Sequence, residues 1–476
     1  MPIDPAFYGR CLRALLVALL ALGFATATAS AATLGAGALA SRLTAQMHLA
    51  GSDSSAEAVD LSSGRVLFSS HAATPHPPAS VEKLYTSWTT LVELGPSATL
   101  PTTVLGVGTR AANGTWNGTL YLHGGGDPAL GPADLAVLAK QLASTDGITH
   151  VHGRILGDES LFDDDRGDPS TEGAFDPYLE GTLSALAYEG GERGTATGTH
   201  APAAWAAHEL EAALQHDHVS VSGGSGAGTA PITASILAAV ESPSIASLLG
   251  LMLPPSNNFF AEMLLKQLGA RVGGAGTSAA GAAVVRSILS STLGLHPTLV
   301  DGSGLCGCDH TTALQIVDLL GDIASTPLGE TLRSKMAVAG ETGTVADRMR
   351  GTPARGHCEL KTGTLTGASN LAGYCTAAGG HTIAFAVMND DDSLYTAHAV
   401  QDSIAESIAR FSDGTPAGTT LQLPPGGQVP VLPAGIPVTI PGGTATAPGG
   451  APTTTAPSTG ASPSSPSPGT GGATAP

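Results

Sequence analysis

The stretch Ser80-Val81-Glu82-Lys83 combines a hydroxyl and an amine at a spacing that suits nucleophilic chemistry. Residues three apart on a helix share one face, so a helix that starts here brings Ser80 beside Lys83. A serine becomes a nucleophile when a nearby base takes its proton, and a lysine whose pKa is lowered by burial can be that base. The N-terminus of the helix adds backbone N–H groups that suit a developing oxyanion. We therefore predict a nucleophile at Ser80 and its base at Lys83.

The stretch Ser256-Asn257-Asn258 follows two prolines and precedes an apolar run that predicts a helix over residues 258–268. Serine and asparagine before such a run are ordinary helix N-caps. Taken alone, the stretch favours this simpler interpretation.

The stretch Lys361-Thr362-Gly363-Thr364 lies in a strand predicted over residues 356–364. A lysine and two hydroxyls on one strand can hold a carboxylate, and the glycine between them would let the backbone of a ligand lie close to the strand. The alternative interpretation is a lysine on an exposed sheet edge, where charged side chains are common.

The order of the three stretches is more informative than any one of them. S-x-x-K, then S-x-N, then K-T-G is the signature set of serine β-lactamases and penicillin-binding proteins. Two of the few lysines occupy the two positions that the set requires. The five lysines of the chain are Lys83, Lys140, Lys266, Lys335 and Lys361.

Length and charge limit the functions that the chain can have. Its 476 residues exceed one ordinary domain, and a hydrophobic fraction of 42% is typical of a globular protein. The formal net charge of -19, without any basic run, argues against a nucleic-acid partner. The histidines and cysteines form no H-E-x-x-H or paired C-x-x-C pattern, so we expect no metal site.

The N-terminus has the features of a targeting segment. After two arginines, an apolar run over residues 14–24 is followed by Ala29-Ser30-Ala31, which fits the cleavage pattern of a secretory signal peptide. The run is shorter than the about 20 apolar residues of a membrane span. We predict that residues 1–31 are a signal peptide and that the mature protein is secreted and works in the cell wall or periplasm. An uncleaved N-terminal anchor is the alternative and would be the contact with the membrane.

Four cysteines follow the predicted signal peptide, namely Cys306, Cys308, Cys358 and Cys375. Disulfides form outside the cytoplasm, and four cysteines allow three pairings. Cys358 and Cys375 lie symmetrically about a predicted hairpin turn, which favours this pair without excluding the others. Four reduced, partly buried thiols are the alternative.

The remaining pattern predicts an α+β fold in which helices cover an antiparallel sheet. Residues 32–95 and 246–412 are expected to form this domain, and residues 96–245, with short strands and many glycines, an inserted smaller domain. Residues 413–476 are rich in proline, threonine, glycine and serine and are uncharged beyond the first, which predicts a disordered tail. Helices are predicted over residues 38–49, 80–94, 244–251, 258–268 and 394–411, and strands over 55–60, 65–69, 356–364, 370–376 and 382–388.

With these motifs, the chain resembles the low-molecular-weight class C penicillin-binding proteins, the DacB-type D-Ala-D-Ala carboxypeptidase/endopeptidase family (peptidase family S13). The resemblance covers roughly residues 40–410 and implies a β-lactamase/transpeptidase-like domain. We interpret the glycine-rich segments among its markers as signs of ancestry rather than of a direct role. The further segments that carry it are Gly124-Gly125-Gly126-Asp127-Pro128, Asp301-Gly302-Ser303-Gly304-Leu305, Gly343-Thr344, Arg348-Met349 and Leu371-Ala372-Gly373-Tyr374.

The resemblance also implies a role for each site residue and no cofactor. Ser80 would be acylated, Lys83 would be its general base and Ser256 would pass a proton to the leaving amine. Asn258 would bind the peptide amide of the substrate, and backbone N–H groups of Ser80 and Thr364 would form the oxyanion hole. The terminal carboxylate would be held by the K-T-G strand, with Lys361, Thr362, Gly363 and Thr364 in the binding site.

The implied function is a serine-type D-Ala-D-Ala carboxypeptidase acting on peptidoglycan stem peptides, with β-lactams as covalent inhibitors. Endopeptidase activity on cross-links uses the same acyl-enzyme, so the sequence does not separate the two. A serine β-lactamase and a non-catalytic wall-binding protein are the alternatives. The chain departs from the family by Cys306-Gly307-Cys308 in place of the usual Ser-Arg, and by a short insertion.

Overall fold

Residues 32–191, 201–390 and 393–413 are described by the computed structural model. The predicted signal peptide and residues 414–476 of the predicted tail lie outside the described residues. No helix within the described ranges is both long and apolar enough to span a membrane.

The strands of the described residues belong to two sheets. Six of them form an antiparallel sheet with the order β10-β11-β12-β13-β1-β2. The strands are β1 (Ser54–Asp60), β2 (Arg65–Ser70), β3 (Thr102–Arg110), β4 (Thr115–His123), β5 (His150–His152), β6 (Ile155–Asp158), β7 (Ser220–Val221), β8 (Ser225–Ala227), β9 (Ser235–Val240), β10 (Ala337–Val338), β11 (Cys358–Leu365), β12 (Ala368–Thr376) and β13 (Thr382–Asp390).

Helices cover both faces of the six-stranded sheet. The helices of the described residues are α1 (Ala36–Leu49), α2 (Lys83–Leu94), α3 (Pro132–Lys140), α4 (Pro202–His216), α5 (Ile245–Met252), α6 (Asn258–Leu268), α7 (Ser278–Ile288), α8 (Ala313–Ile323), α9 (Pro327–Arg333) and α10 (Leu394–Ala409). Six of them contribute to the core on one face of the sheet (α2, α5, α6, α7, α8 and α9), and α1 and α10 pack on the other face.

The period of two in the strands explains why this sheet is covered twice, since successive residues of a strand point to opposite faces. In β12, Ala372 and Tyr374 pack on one side, whereas Leu371 and Cys375 pack on the other. The sheet closes between distant parts of the chain, because β1 pairs with β13 along its whole length. The predicted α+β fold, an antiparallel sheet covered by helices, is confirmed.

Helix α2 lies at the centre of this layered domain. Its residues from Lys83 to Leu91 are all buried, including five hydroxyl side chains. A helix that is buried all round is held by neighbours on every side. Whatever the first turn of α2 carries is therefore fixed with respect to the sheet.

The second sheet is built from residues 102–240. β3 pairs antiparallel with β4 and β9, and β4 continues in parallel with β5 and β6. Helices α3 and α4 pack on it through Leu135, Leu138, Leu210 and Leu214. The sequence pattern indicated short strands here, but β3 and β4 have nine residues each and the two helices were not predicted. Alanine-rich helices have a weak apolar stripe, which explains the omission.

A small apolar cluster joins residues 160–187 to α6. Leu179 and Leu183 are buried against Phe259 and Met263. This contact fixes the 3-10 turn Pro177–Leu179 over the first turn of α6. The contact therefore brings Tyr178, in this turn, next to Asn258.

The described part of the chain contains two disulfides, Cys306–Cys308 and Cys358–Cys375. The pair favoured by the sequence is confirmed, because Cys358 and Cys375 are directly opposite in the β11–β12 register. The alternative of four reduced thiols is wrong.

Replacing Cys358 and Cys375 together by alanine should lower the free energy of unfolding by about 3 kcal/mol. The disulfide spans 17 residues and restricts the unfolded chain. Equilibrium denaturation of the mature protein measures the loss. The control is the double alanine variant of Cys306 and Cys308, whose separation of 2 residues predicts a much smaller change. Equal losses in the two variants would contradict this account.

Candidate active site

Residues 79–82, which we name the nucleophile turn after the role predicted for Ser80, form a single 3-10 turn that leads into α2 at Lys83. Ala79 has a left-handed backbone conformation with φ of 47°, which costs a residue with a side chain about 1 kcal/mol. Ser80 follows this bend, and Lys83 Nζ lies 2.9 Å from Ser80 Oγ. The structure therefore brings together the hydroxyl and the amine of the first motif.

The Lys83 amine is fully buried and has three hydrogen-bond acceptors. Besides Ser80 Oγ, Nζ donates to Asn258 Oδ1 at 2.7 Å and to the Ser303 carbonyl oxygen at 2.6 Å. Burial lowers the pKa of Lys83 to about 8, although nearby carboxyl groups act in the opposite direction. A neutral amine keeps two N–H groups for Asn258 and Ser303, so its lone pair is left for the Ser80 hydroxyl.

The second motif, Ser256-Asn257-Asn258, lies at the start of α6. Asn257 is the N-cap, since its Oδ1 accepts the Phe260 N–H at 2.8 Å, so the cap interpretation holds for this residue. Ser256 has a left-handed backbone conformation with φ of 66°. Its Oγ accepts a hydrogen bond from Lys361 Nζ at 2.7 Å. The sequence motif S-x-N thus contains a cap between two residues that contact the lysines.

Both ends of the Asn258 amide are occupied by protein groups. Oδ1 accepts from Lys83, and Nδ2 donates to the Tyr178 carbonyl at 2.8 Å. Tyr178 belongs to the 3-10 turn held on α6 by the apolar cluster, and its side chain is 75% exposed. Residues between the two sheets therefore help to orient the asparagine, a contribution that sequence reasoning missed.

Lys361 is buried rather than on an exposed edge, so the edge interpretation is wrong. Its Nζ donates to Ser256 Oγ and, at 2.8 Å, to the Thr362 carbonyl oxygen. Burial lowers the pKa of Lys361 well below its usual range, and the charge of Lys83 lowers it further. In β11, only Glu359 and Leu360 pair with β10, so no described strand pairs with the outer edge of the strand from Lys361 onwards.

Gly363 lets β11 approach the nucleophile turn. A Cβ at this position would lie 2.6 Å from the Pro78 carbonyl oxygen and 3.1 Å from the Val81 nitrogen. The sequence predicts that this glycine lets the backbone of a ligand lie close to the strand. In the structure, the space that a Cβ would fill is occupied by the backbone of the protein itself, around the nucleophile turn. Opposite Gly363 in the register, Asn370 Nδ2 donates to the carbonyl oxygens of Pro77 and Pro78 at 2.8 and 2.9 Å.

The D-G-S-G-L segment touches the site directly, which corrects its interpretation as a mark of ancestry alone. The Ser303 carbonyl accepts from Lys83. Gly304 has φ of 77°, and a Cβ there would collide with the Ala79 carbonyl group. The segment is therefore packed against both the base and the nucleophile turn. Its glycines and aspartate were visible in the sequence, but a main-chain carbonyl has no sequence signal.

A group of buried carboxyls lies around Lys83. Burial is the main cause that raises the pKa of each carboxyl, and for Glu82, Glu262 and Asp309 neighbouring carboxylates raise it further. The pKa of Glu262 is raised to about 8 and that of Asp309 to about 11, and those of Glu82 and Asp301 are also raised. Glu262 and Asp309 are therefore mostly protonated at pH 7, which limits their opposition to the release of a proton from Lys83.

Thr344 contacts the third motif, since its hydroxyl lies 2.8 Å from that of Thr362. Within the described ranges, no group of three or more His, Cys, Asp or Glu side chains could hold a metal ion.

The site combines a serine beside a buried amine, a second serine–lysine pair and an open strand edge. These are the parts that acyl transfer requires.

Such a site beside an antiparallel sheet defines a serine acyl-transfer enzyme. The sequence matches the D-Ala-D-Ala carboxypeptidase 3 (S13) family over residues 36–177 and 178–413, and the chain belongs to this family. The protein is therefore a hydrolase, a serine peptidase of the D-Ala-D-Ala carboxypeptidase class. The predicted resemblance is confirmed.

Two relatives illustrate the match in sequence. A D-alanyl-D-alanine carboxypeptidase of Actinomadura sp. is 32% identical over 448 residues, which covers 76% of this chain and 82% of that protein. Carboxypeptidase DacB of Mycolicibacterium smegmatis is 28% identical over 366 residues, with 70% and 75% covered.

Solved structures share the fold. Penicillin binding protein 4 (dacB) from Haemophilus influenzae has a TM-score of 0.66 at 20% identity, covering 76% of this chain and 97% of its own. A predatory peptidoglycan endopeptidase from Bdellovibrio bacteriovorus has a TM-score of 0.51 at 18% identity, covering 78% and 96%. The predicted β-lactamase/transpeptidase-like fold is confirmed.

Replacing Gly304 by alanine should destabilise the protein by about 2 kcal/mol or more, because the new Cβ meets backbone and the left-handed φ disfavours a side chain. Chemical denaturation gives the free energy of unfolding. The control is Gly307→Ala on the same loop, where nothing lies within 4 Å of the added Cβ. We expect that control to stay within about 0.5 kcal/mol of wild type. A tolerated Gly304→Ala would refute the close packing of this segment.

Proposed function

We propose that this protein is a secreted serine-type carboxypeptidase that removes the terminal D-alanine from peptidoglycan stem peptides through an acyl-enzyme on Ser80. The observation that carries the proposal is the buried Lys83 amine, 2.9 Å from Ser80 Oγ. The names of the Actinomadura and Mycolicibacterium relatives, both carboxypeptidases, support it.

Acylation begins with the transfer of one proton. Neutral Lys83 takes the hydroxyl proton of Ser80 while Oγ bonds to the carbonyl carbon between the two D-alanines. The carbonyl oxygen becomes an oxyanion, which the backbone N–H groups of Ser80 and Thr364 stabilise. Asn258 binds the peptide amide on the other side of the scissile bond.

Collapse of the oxyanion breaks the C–N bond and requires a proton on the departing amine. Ser256 hands its hydroxyl proton to that nitrogen and is reprotonated by Lys361, whose Nζ donates to Ser256 Oγ at 2.7 Å. D-Alanine leaves as a free amino acid and Ser80 keeps the acyl group. The proton that Lys83 took from Ser80 then passes to Lys361 and replaces the one that Lys361 gave up, so Lys83 is neutral again. Water attacks the ester, Lys83 takes a proton from the water, and that proton returns to Ser80 Oγ as the C–O bond of the ester breaks.

The K-T-G strand anchors the terminal carboxylate of the substrate. The bound carboxylate favours the ammonium form of Lys361, which then supplies a positive charge, and the hydroxyls of Thr362 and Thr364 supply hydrogen bonds. Gly363 keeps the strand against the nucleophile turn. A stem peptide laid along the open edge of β11 has its carbonyl facing Ser80.

Two substrate classes share this chemistry. A D-alanyl bond at the end of a stem peptide and one within a cross-link both give the same acyl-enzyme, so endopeptidase activity is part of the proposal. β-Lactams mimic the same bond, and a Bdellovibrio endopeptidase of this fold has been solved in its penicillin G acylated form. The proposed partners are therefore stem peptides ending in D-Ala-D-Ala and β-lactams.

Such a substrate lies outside the cytoplasmic membrane, which agrees with residues 1–31 being a signal peptide. We also propose that residues 32–95 and 246–412 form the catalytic domain and residues 96–245 an inserted one. All six strands of the first sheet come from the former segments and all seven of the second from the latter, which supports this division.

Ser80→Ala should abolish covalent labelling by a β-lactam, because it removes the hydroxyl that lies 2.9 Å from Lys83 Nζ. Intact-mass analysis of the mature protein after exposure to penicillin should give one adduct on the wild type and none on the variant. Release of D-alanine from a pentapeptide muropeptide should be lost in parallel. The matched control is Ser87→Ala on α2, a buried serine that belongs to none of the three motifs, which should be labelled like wild type.

Three other outcomes would change the proposal. Labelling of Ser80→Ala, or an adduct on another side chain, would refute it. Rapid hydrolysis of nitrocefin without a lasting adduct would instead favour a β-lactamase. Peptidoglycan binding without any acylation of the wild type would favour a wall-binding protein. Cleavage of a cross-linked muropeptide dimer separates endopeptidase from carboxypeptidase activity.

Acylation should accelerate as the pH rises through about 8, because Lys83 accepts the Ser80 proton only in its neutral form and its pKa is lowered to about 8. Well below that pH, each unit of acidification should slow acylation by about tenfold. The measurement is the pseudo-first-order rate of labelling by a fluorescent penicillin between pH 6 and 9. A rate that stays flat over this range would exclude Lys83 as the titrating base.

A further inference from the structure

Glu262 lies on α6, one helical turn after Asn258, so the two side chains share a face of the helix. Its side chain is fully buried. Oε1 accepts the backbone N–H groups of Gly302 and Ser303, both at 2.8 Å. Asn258 contacts the base directly, and Glu262 holds the loop that contacts it from the other side.

The Ser303 peptide groups connect Glu262 to Lys83. The N–H of Ser303 is held by Glu262, and its carbonyl oxygen accepts from Lys83 Nζ at 2.6 Å. Gly302 brings the loop directly onto α6, since a Cβ there would lie 2.8 Å from Leu265 Cβ. The position of one acceptor of the base is thus set by the carboxylate of Glu262.

A second carboxylate, that of Asp301, also accepts backbone N–H groups of this loop. Asp301 Oδ1 accepts the Gly304 N–H and Oδ2 accepts the Cys306 N–H, both at 2.7 Å. These bonds tie the loop to itself, whereas Glu262 adds hydrogen bonds between the loop and α6 to the packing of Gly302 on Leu265. Loss of Glu262 therefore removes the hydrogen bonds that hold the loop on the helix that also carries Asn258.

The charge of Glu262 also acts on the base. Burial and the charge of Asp301 raise the pKa of Glu262 to about 8, close to that of Lys83, so the carboxyl and the amine titrate as a pair. Other groups face this pair from neighbouring elements and remain in the variants described below. They are Glu82 in the nucleophile turn, Asp301 and Asp309 in the loop, Asp168 and Glu180 from the segment over α6, and Lys361 on β11.

We propose that Glu262 is a positioning residue for the acylation of Ser80. Its carboxyl group holds the Ser303 carbonyl against Lys83, and in its ionised form it stabilises the Lys83 ammonium. This inference rests on the proposed function, because it concerns the same acylation step.

Glu262→Gln separates the two effects. The amide keeps an oxygen for the N–H groups of Gly302 and Ser303 but cannot carry a charge. We expect a folded protein whose maximal acylation rate stays within a few-fold of wild type. Without the carboxylate the Lys83 ammonium is less stable, so the rising limb of the pH–rate profile should move to lower pH by about one unit.

Glu262→Ala removes both effects. The loop then loses these hydrogen bonds to α6, and a displacement of the Lys83 acceptor should lower the maximal acylation rate by about a hundredfold. Recovery of that rate in Glu262→Gln is the sign that the oxygen, rather than bulk alone, is needed. The matched control is Glu57→Gln, a buried carboxyl on β1 that faces Asp318 instead of Lys83. It should keep the wild-type rate and pH midpoint.

All four proteins are compared by labelling with the same fluorescent penicillin between pH 6 and 9, with circular dichroism as the test of folding. If the wild type is not acylated, the proposed function fails before Glu262 is tested. If the wild type is acylated and Glu262→Gln keeps its pH midpoint, the inference about Glu262 is overturned. Should Glu262→Ala not fold, the midpoint of Glu262→Gln decides alone.

Discussion

Removing the Lys83 amine from water is the constraint on which the site depends. A buried ammonium is unfavourable unless its N–H groups find acceptors, and Lys83 has three. One comes from the nucleophile turn, one from α6 and one from the D-G-S-G-L loop. The acceptors Ser80, Asn258 and Ser303 meet only when these three segments are packed together. The same burial lowers the pKa of the amine, so the interaction that assembles the site also gives Lys83 the property that its proposed role as a base requires.

Lys361 is a second buried amine of the site, and its N–H groups also find acceptors within the protein. It is satisfied by Ser256 Oγ and by a main-chain carbonyl of β11. The charge of Lys83 lowers its pKa further, whereas the carboxyls near Lys83 offset part of the positive charge. The site therefore contains two hydroxyl–amine pairs, Ser80–Lys83 and Ser256–Lys361, whose surroundings differ. This difference suits one pair to removing a proton and the other to returning one.

Close packing of backbone, rather than of side chains, determines how near β11 and the D-G-S-G-L loop lie to the nucleophile turn. Gly363 brings β11 onto the nucleophile turn, and Gly304 brings the loop onto the same turn. Ala79 and Ser256 have left-handed backbone conformations although they have side chains. Such conformations persist where the surrounding structure imposes them, which is common at functional sites. Here they lie directly before the nucleophile and within the second motif.

The sequence by itself determined the local features. The i, i+3 spacing placed Ser80 beside Lys83, helix α6 was predicted with its observed bounds, and the predicted hairpin of β11 and β12 favoured the Cys358–Cys375 pair without excluding the other pairings. Only the tertiary structure decided which groups surround the base, because 220 residues separate Lys83 from Ser303 and the acceptor is a main-chain carbonyl. Contacts of that kind depend on packing between elements, and neither periodicity nor spacing along the chain encodes them.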